Sequence, residues 1–195
     1  EVMGAAPYRE GQGMLASGNQ SVGVMVRGID VDREKSVSEV AGHMVSGELQ
    51  SLHQQRFNVV LGAELAMRLG VTVGDRVTLM VPKGSVTPAG LVPRVKRFTV
   101  SGIFEVGMHE FDSALALLSL QDSGVLLKMG RGVTGVRLRL QDMFRAPQIS
   151  REIAEDTRRG FRVTDWTKQH ANFFRAIQME KRVMFIILTL IIAVA

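Results

Sequence analysis

The sequence predicts an α+β protein: a βαβ-type subdomain built from both ends of the chain, a β-rich subdomain inserted into it, and the start of a membrane helix at the end. Three observations carry this expectation. Short β-prone runs alternate with short amphipathic runs, and Gly or Pro turns separate them. One strand–helix–strand unit is complete towards the C-terminal end, whereas the N-terminal end offers only the closing strand of a similar unit. The last thirteen residues, Val183 to Ala195, read VMFIILTLIIAVA, with Thr189 the only polar side chain.

SVGVMVRGID alternates loosely and predicts a strand at about Val22–Gly28. Asp30 to Gln55 is polar and broken by Gly42 and Gly47, a connection with room for one short helix. A compact unit follows. Asn58–Leu61 predicts a short buried strand, and Ala63–Leu69 a two-turn helix with Leu65, Met67 and Leu69 near one side. Gly70 stands where a helix C-cap needs positive φ, and Gly74-Asp75 turns the chain into a strand at Arg76–Val81. PKGSVTPAGLVPR holds Pro82, Pro88 and Pro93, and VKRFTVSGIFEV then alternates through Val95, Arg97/Phe98 and Val100. The expectation is an extended hairpin closed by a Pro/Gly-rich loop of about twelve residues. Ser113–Leu118 predicts a further strand, and Ser119–Lys128 a short helix capped by Ser119.

From Thr134 to Trp166 a βαβ unit is expected. Val136, Leu138 and Leu140 alternate with Arg137 and Arg139, Ala146–Arg158 is helical with Pro147 in its first turn, and Phe161–Val163 is a second strand. Phe173, Phe174, Ile177 and Val183 fall at helical spacing, and no Pro or Gly separates this helix from the apolar tail. The tail is shorter than the roughly 20 residues a bilayer needs, yet too apolar all round for a surface helix. It is expected to be the beginning of a transmembrane helix; the alternative is a buried C-terminal core helix. The helix before it would then be a rigid rod between a domain and a membrane. The opening EVMGAAPYREG has neither the basic start nor the apolar stretch of a signal peptide and reads as mid-domain.

A chain of 195 residues holds one large domain or two small ones. The net charge of +5 is dispersed among acidic residues, without a Lys/Arg run interleaved with aromatics, which argues against nucleic acid as a partner. There is no Cys, so no disulfide or Cys-based metal site is predicted. No enzyme chemistry is legible. A Walker A sequence and a GxSxG elbow are absent, and Gly11–Gly13 lacks the third glycine of a dinucleotide fingerprint. His43 and His53 lie in a polar connection without metal-ligand spacing, and His109, Glu110 and Asp112 read as a polar turn rather than a cation site. Trp166, Phe173 and Phe174 are expected to pack at a helix start. No catalytic residue, metal or cofactor is predicted.

Three blocks together are distinctive: VVLGAELAMRLGVTVGDRVTLMVP, TPAGLVPRVKRFTVSGIFEVG and FRAIQMEKRVMFIILTLIIAVA. They resemble the LolC/LolE-type permeases of the lipoprotein-releasing ABC transporter, within the wider MacB-like permease superfamily. The first block is shared across that superfamily; the TPxG hairpin and the AIQMEK entry point to the lipoprotein branch. The resemblance implies a periplasmic domain between two transmembrane helices, with a membrane-proximal porter part and an inserted β-rich sabre part. On this sequence those parts are 1–30 and 131–182 for the porter and 31–130 for the sabre, with 183–195 opening a membrane helix. It implies an inner-membrane protein that hands lipoproteins to a LolA-type periplasmic chaperone, beside a second permease subunit and a cytoplasmic ATPase subunit.

The resemblance also implies a chaperone-recruiting hook over Pro82–Pro93. Its members are Pro82, Val86, Thr87, Pro88, Ala89, Gly90, Leu91, Val92 and Pro93, and Ala89 stands where a tip of this kind can carry a bulky residue. Arg94 and Lys96 are the candidates for a supporting patch on the stem. RLRLQDMFRA at Arg137–Ala146 looks more like the LolE side of the family, which leaves the subtype open. Lys181 and Arg182, just before the apolar run, pull the other way on orientation, since the positive-inside rule would place the domain in the cytoplasm.

Overall fold

A computed structural model describes residues 2–54, 56–87, 90–156 and 161–169, and positions 179–180, 183–185, 187, 189 and 192; at 54, 83–87, 90–92 and 169 it describes the backbone alone. The strands are β1 (Val2–Ser17), β2 (Gln20–Ile29), β3 (Met44–Gly47), β4 (Asn58–Gly62), β5 (Arg76–Thr87), β6 (Gly90–Phe104), β7 (Leu115–Ser119) and β8 (Gly135–Leu140). The helices are α1 (Val31–Val37), α2 (Ser51–Gln54), α3 (Ala63–Leu69), α4 (His109–Asp112), α5 (Leu120–Leu127), α6 (Ala146–Asp156) and α7 (Trp166–Gln169). The chain divides into two compact units, Val2–Arg139 and Leu140 onward.

In the first unit the strand pairings close on themselves. β1 pairs antiparallel with β2, β2 parallel with β7, β7 antiparallel with β4, and β4 parallel with β6. β6 pairs antiparallel with β5, and β5 returns to β1 through Met14↔Met80 and Leu15↔Leu79. Six strands therefore form a ring, with β3 added on β6 and β8 on β1. Within the ring each strand is flanked on both sides, so the ring itself offers no free edge, which mixed short strands otherwise have to protect.

The ring encloses an apolar core. Leu15, Val26, Val59, Leu61, Leu79, Phe98, Val100, Ala116 and Leu118 are fully or almost fully buried there, with Leu65, Ala66 and Leu69 of α3 and Leu126 and Leu127 of α5 joining them. β4 and β7 are buried on both faces, so their sequences NVVLG and LALLS are unbroken runs rather than alternations. Their second face, Val60, Leu115 and Leu117, packs with Ile29, Val31, Leu49, Leu52 and Phe104 in a second cluster. Segment 31–130 supplies β3 to β7 and segment 1–30 supplies β1 and β2, so both contribute strands to this ring.

Several expectations hold at the residue. Helix α3 has the anticipated limits, and Gly70 ends it at φ 63°. Ser119 caps α5, its side chain accepting from the Asp122 amide. Others need correction. The strand expected at Phe161–Val163 is not formed: these residues lie outside any strand and Phe161 is exposed. A strand requires a neighbour for its N–H and C=O groups, and no described strand pairs with this segment. The expected loop between β5 and β6 is mostly strand, as shown below. In β8 the apolar row is the outward one: Val136 and Leu138 are exposed, while Arg137 turns in to Glu34.

Strand β1 escaped the sequence reading because its middle is REGQG. Two of its glycines sit where neighbours leave no room for a side chain. A Cβ on Gly13 would stand 2.7 Å from the Met80 carbonyl oxygen, and one on Gly11 would stand 2.7 Å from a Leu127 methyl. The Gly11–Gly13 pair thus serves close packing, not phosphate binding.

In the second unit, Asp165 ties α6 to α7. Its carboxylate accepts from Ser150 Oγ at 3.0 Å, from the Thr167 amide at 3.0 Å and from the Thr167 hydroxyl. Trp166 Nε1 donates to the Met143 carbonyl at 2.8 Å, and the indole meets Phe144 edge-on. Residues 179–180, 183–185, 187, 189 and 192 are helical, and Thr189 Oγ1 donates to the Phe185 carbonyl one turn back. The remainder of the expected rod, Phe173, Phe174 and Ile177 included, lies outside the described residues, as does the α6 end at Arg158 and Gly160. Among the described residues no helix is long and apolar enough to cross a membrane.

Candidate functional site: the β5–β6 hairpin

The hairpin grows out of the ring. Arg76 to Val81 pairs with Thr99 to Arg94 in continuous register. The register then shifts: Ser85 pairs with Val92, so Pro82, Lys83 and Gly84 oppose Pro93 alone. Both prolines lack the N–H that a ladder needs, and they fall where the ladder is interrupted. Beyond the irregularity, Ser85↔Val92, Val86↔Leu91 and Thr87↔Gly90 restore an antiparallel ladder. Only Pro88 and Ala89 separate the strands, and these two lie outside the described residues.

The expected loop is therefore a two-stranded extension. Its outer part, Ser85–Thr87 with Gly90–Val92, pairs with no third strand among those described. Pro82 and Pro93 are exposed at its base. An arm held by cross-strand bonds is ordered before anything docks, which lowers the entropy lost on binding.

The two stem cations differ. Cross-strand partners share a face, and Arg94 and Lys96 stand opposite the buried Val81 and Leu79. They rim the core side of the stem, whereas Val95 opposes Met80 on the outer face and is 54% exposed. Arg94 Nη1 donates to the Val125 carbonyl of α5 at 3.1 Å, and its buried Nε finds no acceptor among the described residues. Lys96 is exposed, with Nζ 4.1 Å from the centre of the Phe57 ring, a cation–π contact. Phe57 in turn meets Phe98 edge-on. Arg94 thus braces the stem against α5, while Lys96 carries its charge in solvent.

Sequence reasoning missed the side chains that hold this platform. Arg9 is buried and donates through Nε to the Gly132 carbonyl at 2.6 Å, through Nη2 to the Gly130 carbonyl at 2.8 Å, and through Nη1 to the Leu120 carbonyl. Asp122, also buried, accepts from the Phe57 amide at 2.9 Å and from Ser119 Oγ at 2.9 Å, fixing the segment that carries the Phe57 ring. No spacing rule signals either, because each reaches a partner far away in sequence.

The histidines do not converge. His109 Nδ1 lies 2.7 Å from Glu64 Oε2, His53 Nε2 lies 3.8 Å from Asp32, and Asp112 turns inward to accept from the Val106 amide. No group of three or more His, Asp or Glu able to hold a metal occurs among the described residues.

The sequence model of the MacB-like periplasmic core domain matches residues 1–156. The chain belongs to that family. Within this MacB-like family it is of the LolC/LolE type. It is 43% identical over 195 residues to the lipoprotein-releasing system transmembrane protein LolC of Neisseria meningitidis serogroup B, covering 100% of this chain and 47% of that one. It is 44% identical over 192 residues to the LolC protein of Xylella fastidiosa strain 9a5c, covering 98% and 46%. Identity to the LolE protein of Haemophilus influenzae is 26% over 196 residues, 100% of this chain and 47% of that one. The MacB-like chain thus spans about half the length of these curated relatives. The solved periplasmic region of MacB from Actinobacillus actinomycetemcomitans superposes with a TM-score of 0.50 at 14% identity, covering 79% of this chain and 67% of that one, which is a likeness of fold alone.

Proposed function

We propose that this domain is the periplasmic, non-catalytic part of an inner-membrane permease that withdraws lipoproteins from the membrane and passes them to a soluble LolA-type chaperone. A separate cytoplasmic ATPase subunit supplies the energy, and a second permease subunit, identical or related, completes the transporter. The support is the identity of 43% and 44% to two proteins named for lipoprotein release, spread along nearly the whole chain. On this reading the β5–β6 arm is the chaperone-recruiting element, with Thr87-Pro88-Ala89-Gly90 at its tip and Lys96 on its stem. Residues 31–130 carry the recruiting role, and 1–30 with 131–182 the membrane-proximal one. The segment that leads to the apolar run at 183–195 returns movement of the membrane helices to the domain.

The test replaces Thr87–Val92 with a short Gly-Ser loop and titrates the protein with the LolA-type chaperone. The fold should persist, because those residues lie outside the ring, and chaperone binding should be lost. Unchanged affinity would refute the arm as the recruiting element.

A further inference from the structure

One concave surface of the ring carries positive charge and no negative charge. Between α5 and the turn that follows it lies an open cleft of about 790 Å³, whose walls include Arg9, Gln121, Val125, Lys128 and Arg131. Three of these side chains are cationic, and no acidic residue lines the cleft. Arg9 forms its floor. Three carbonyls satisfy the Arg9 guanidinium by hydrogen bonding, yet they bring no formal negative charge to a buried cation. Lys128 caps α5 in the left-handed region at φ 54°, which turns the chain so that the exposed Arg131 comes round to the same cleft. Arg94 reaches the far side of the same helix turn through the Val125 carbonyl.

We propose that this cleft is a docking subsite for an acidic protein segment, whose carboxylates pair with Lys128 and Arg131 over the Arg9 floor. Charge complementarity names the partner's sign. Its protein nature follows from the cleft's shape and position. The cleft is open and too wide to enclose a single small anion. Val125, 48% exposed, gives it an apolar wall suited to a peptide rather than to a bare ion. A dianion such as phosphate favours a helix N-terminus, whereas Lys128 marks the C-terminal end of α5. The subsite adjoins the hairpin stem but does not depend on the hairpin being a chaperone hook.

The test uses the whole 195-residue chain in non-ionic detergent and a fluorescein-labelled Glu-Ser octapeptide, read by anisotropy. Saturable binding is expected, falling several-fold between low and high salt because the contacts are surface-exposed. Lys128→Glu with Arg131→Glu should weaken it at least tenfold. Arg131→Glu alone, on an exposed turn that α5 does not need, should weaken it about threefold. Arg68→Glu, an exposed reversal outside the cleft, and replacement of Thr87–Val92 should both leave it unchanged. Three results would overturn the proposal: binding that survives the double reversal, equal binding of a Lys-Ser octapeptide, or displacement of the peptide by millimolar inorganic phosphate, which would mark a small-anion site. Loss of peptide binding on hairpin replacement would place the probe on the arm and overturn it as well. Peptide binding by the unsubstituted chain together with unchanged chaperone affinity on replacement of Thr87–Val92 would leave the subsite standing and remove the recruiting hairpin instead.

Discussion

Strand β8, paired with β1, is also tied to α1 by a partly buried ion pair, and breaking that pair gives a measurable cost. Glu34 on α1 has a side chain only 5% exposed, and Arg137 Nη1 donates to it at 3.0 Å. Burial pushes the Arg137 guanidinium below its ordinary value, and the Glu34 charge opposes that shift. Arg137→Met keeps the stem's volume but strands a carboxylate away from water. Removing one partner of a fully buried pair costs about 3–5 kcal/mol. Here the Arg137 side chain is 31% exposed, so water reaches the vacated position and about 2–3 kcal/mol is expected. Urea unfolding followed by far-UV circular dichroism should show a midpoint lower by about 1 M, given a slope of roughly 1–3 kcal/mol per M. Arg139→Met is the internal control. Its partner Glu39 is 69% exposed, so that surface pair should contribute less than about 1 kcal/mol. Glu34→Leu combined with Arg137→Met removes both charges and should recover most of the loss. Equal, small effects of Arg137→Met and Arg139→Met would refute the reasoning, since they would mean that Glu34 is solvated.

Two further outcomes follow from the site geometry. Asp165 is held below its ordinary carboxylate value, first by the Thr167 hydroxyl and then by Ser150 and Lys168, against its burial. A carboxyl whose folded value is lowered stabilises above the unfolded value and loses that contribution as pH falls below about 4. Fluorescence of Trp166, the single tryptophan, should therefore change in that acid window, and Asp165→Asn should abolish the change at a cost of about 1 kcal/mol to the α7 cap. For the stem, Lys96→Glu should slow chaperone association and flatten its salt dependence, measured by stopped flow, without altering stability by more than about 0.5 kcal/mol. Arg94→Glu should also lower stability, because it sets a carboxylate against the Val125 carbonyl; equal stability of the two variants would show that the Arg94 brace is not formed.

What was legible in the sequence is what local chemistry decides. Strands β4 and β7 are continuous apolar runs, Gly70 needs positive φ, and Ser119 precedes a helix whose third residue offers its amide. What was not legible depends on partners. Residues 161–163 have strand-like composition but no neighbour, and β1 has poor strand composition but neighbours on both sides. At Gly13 a better strand former would collide with the Met80 carbonyl, so propensity and packing point in opposite directions there.

The hairpin stem makes the same point for function. Arg94 and Lys96 follow the arm directly in sequence, but their face is fixed by the register with β5. A one-residue slip would turn both outward and bring Val95 in. The register itself is set by Val77↔Phe98, where two buried side chains meet inside the ring. The ring core thus determines which cations flank the arm. The arm is not an appendage joined by a loop: its strands are the ring's own β5 and β6, continued past two prolines. Force on the tip would therefore be carried first by the Val81–Arg94 end of the ladder and by the Arg94 brace on α5. Those contacts, rather than tip residues alone, set how rigidly the arm is presented to a partner.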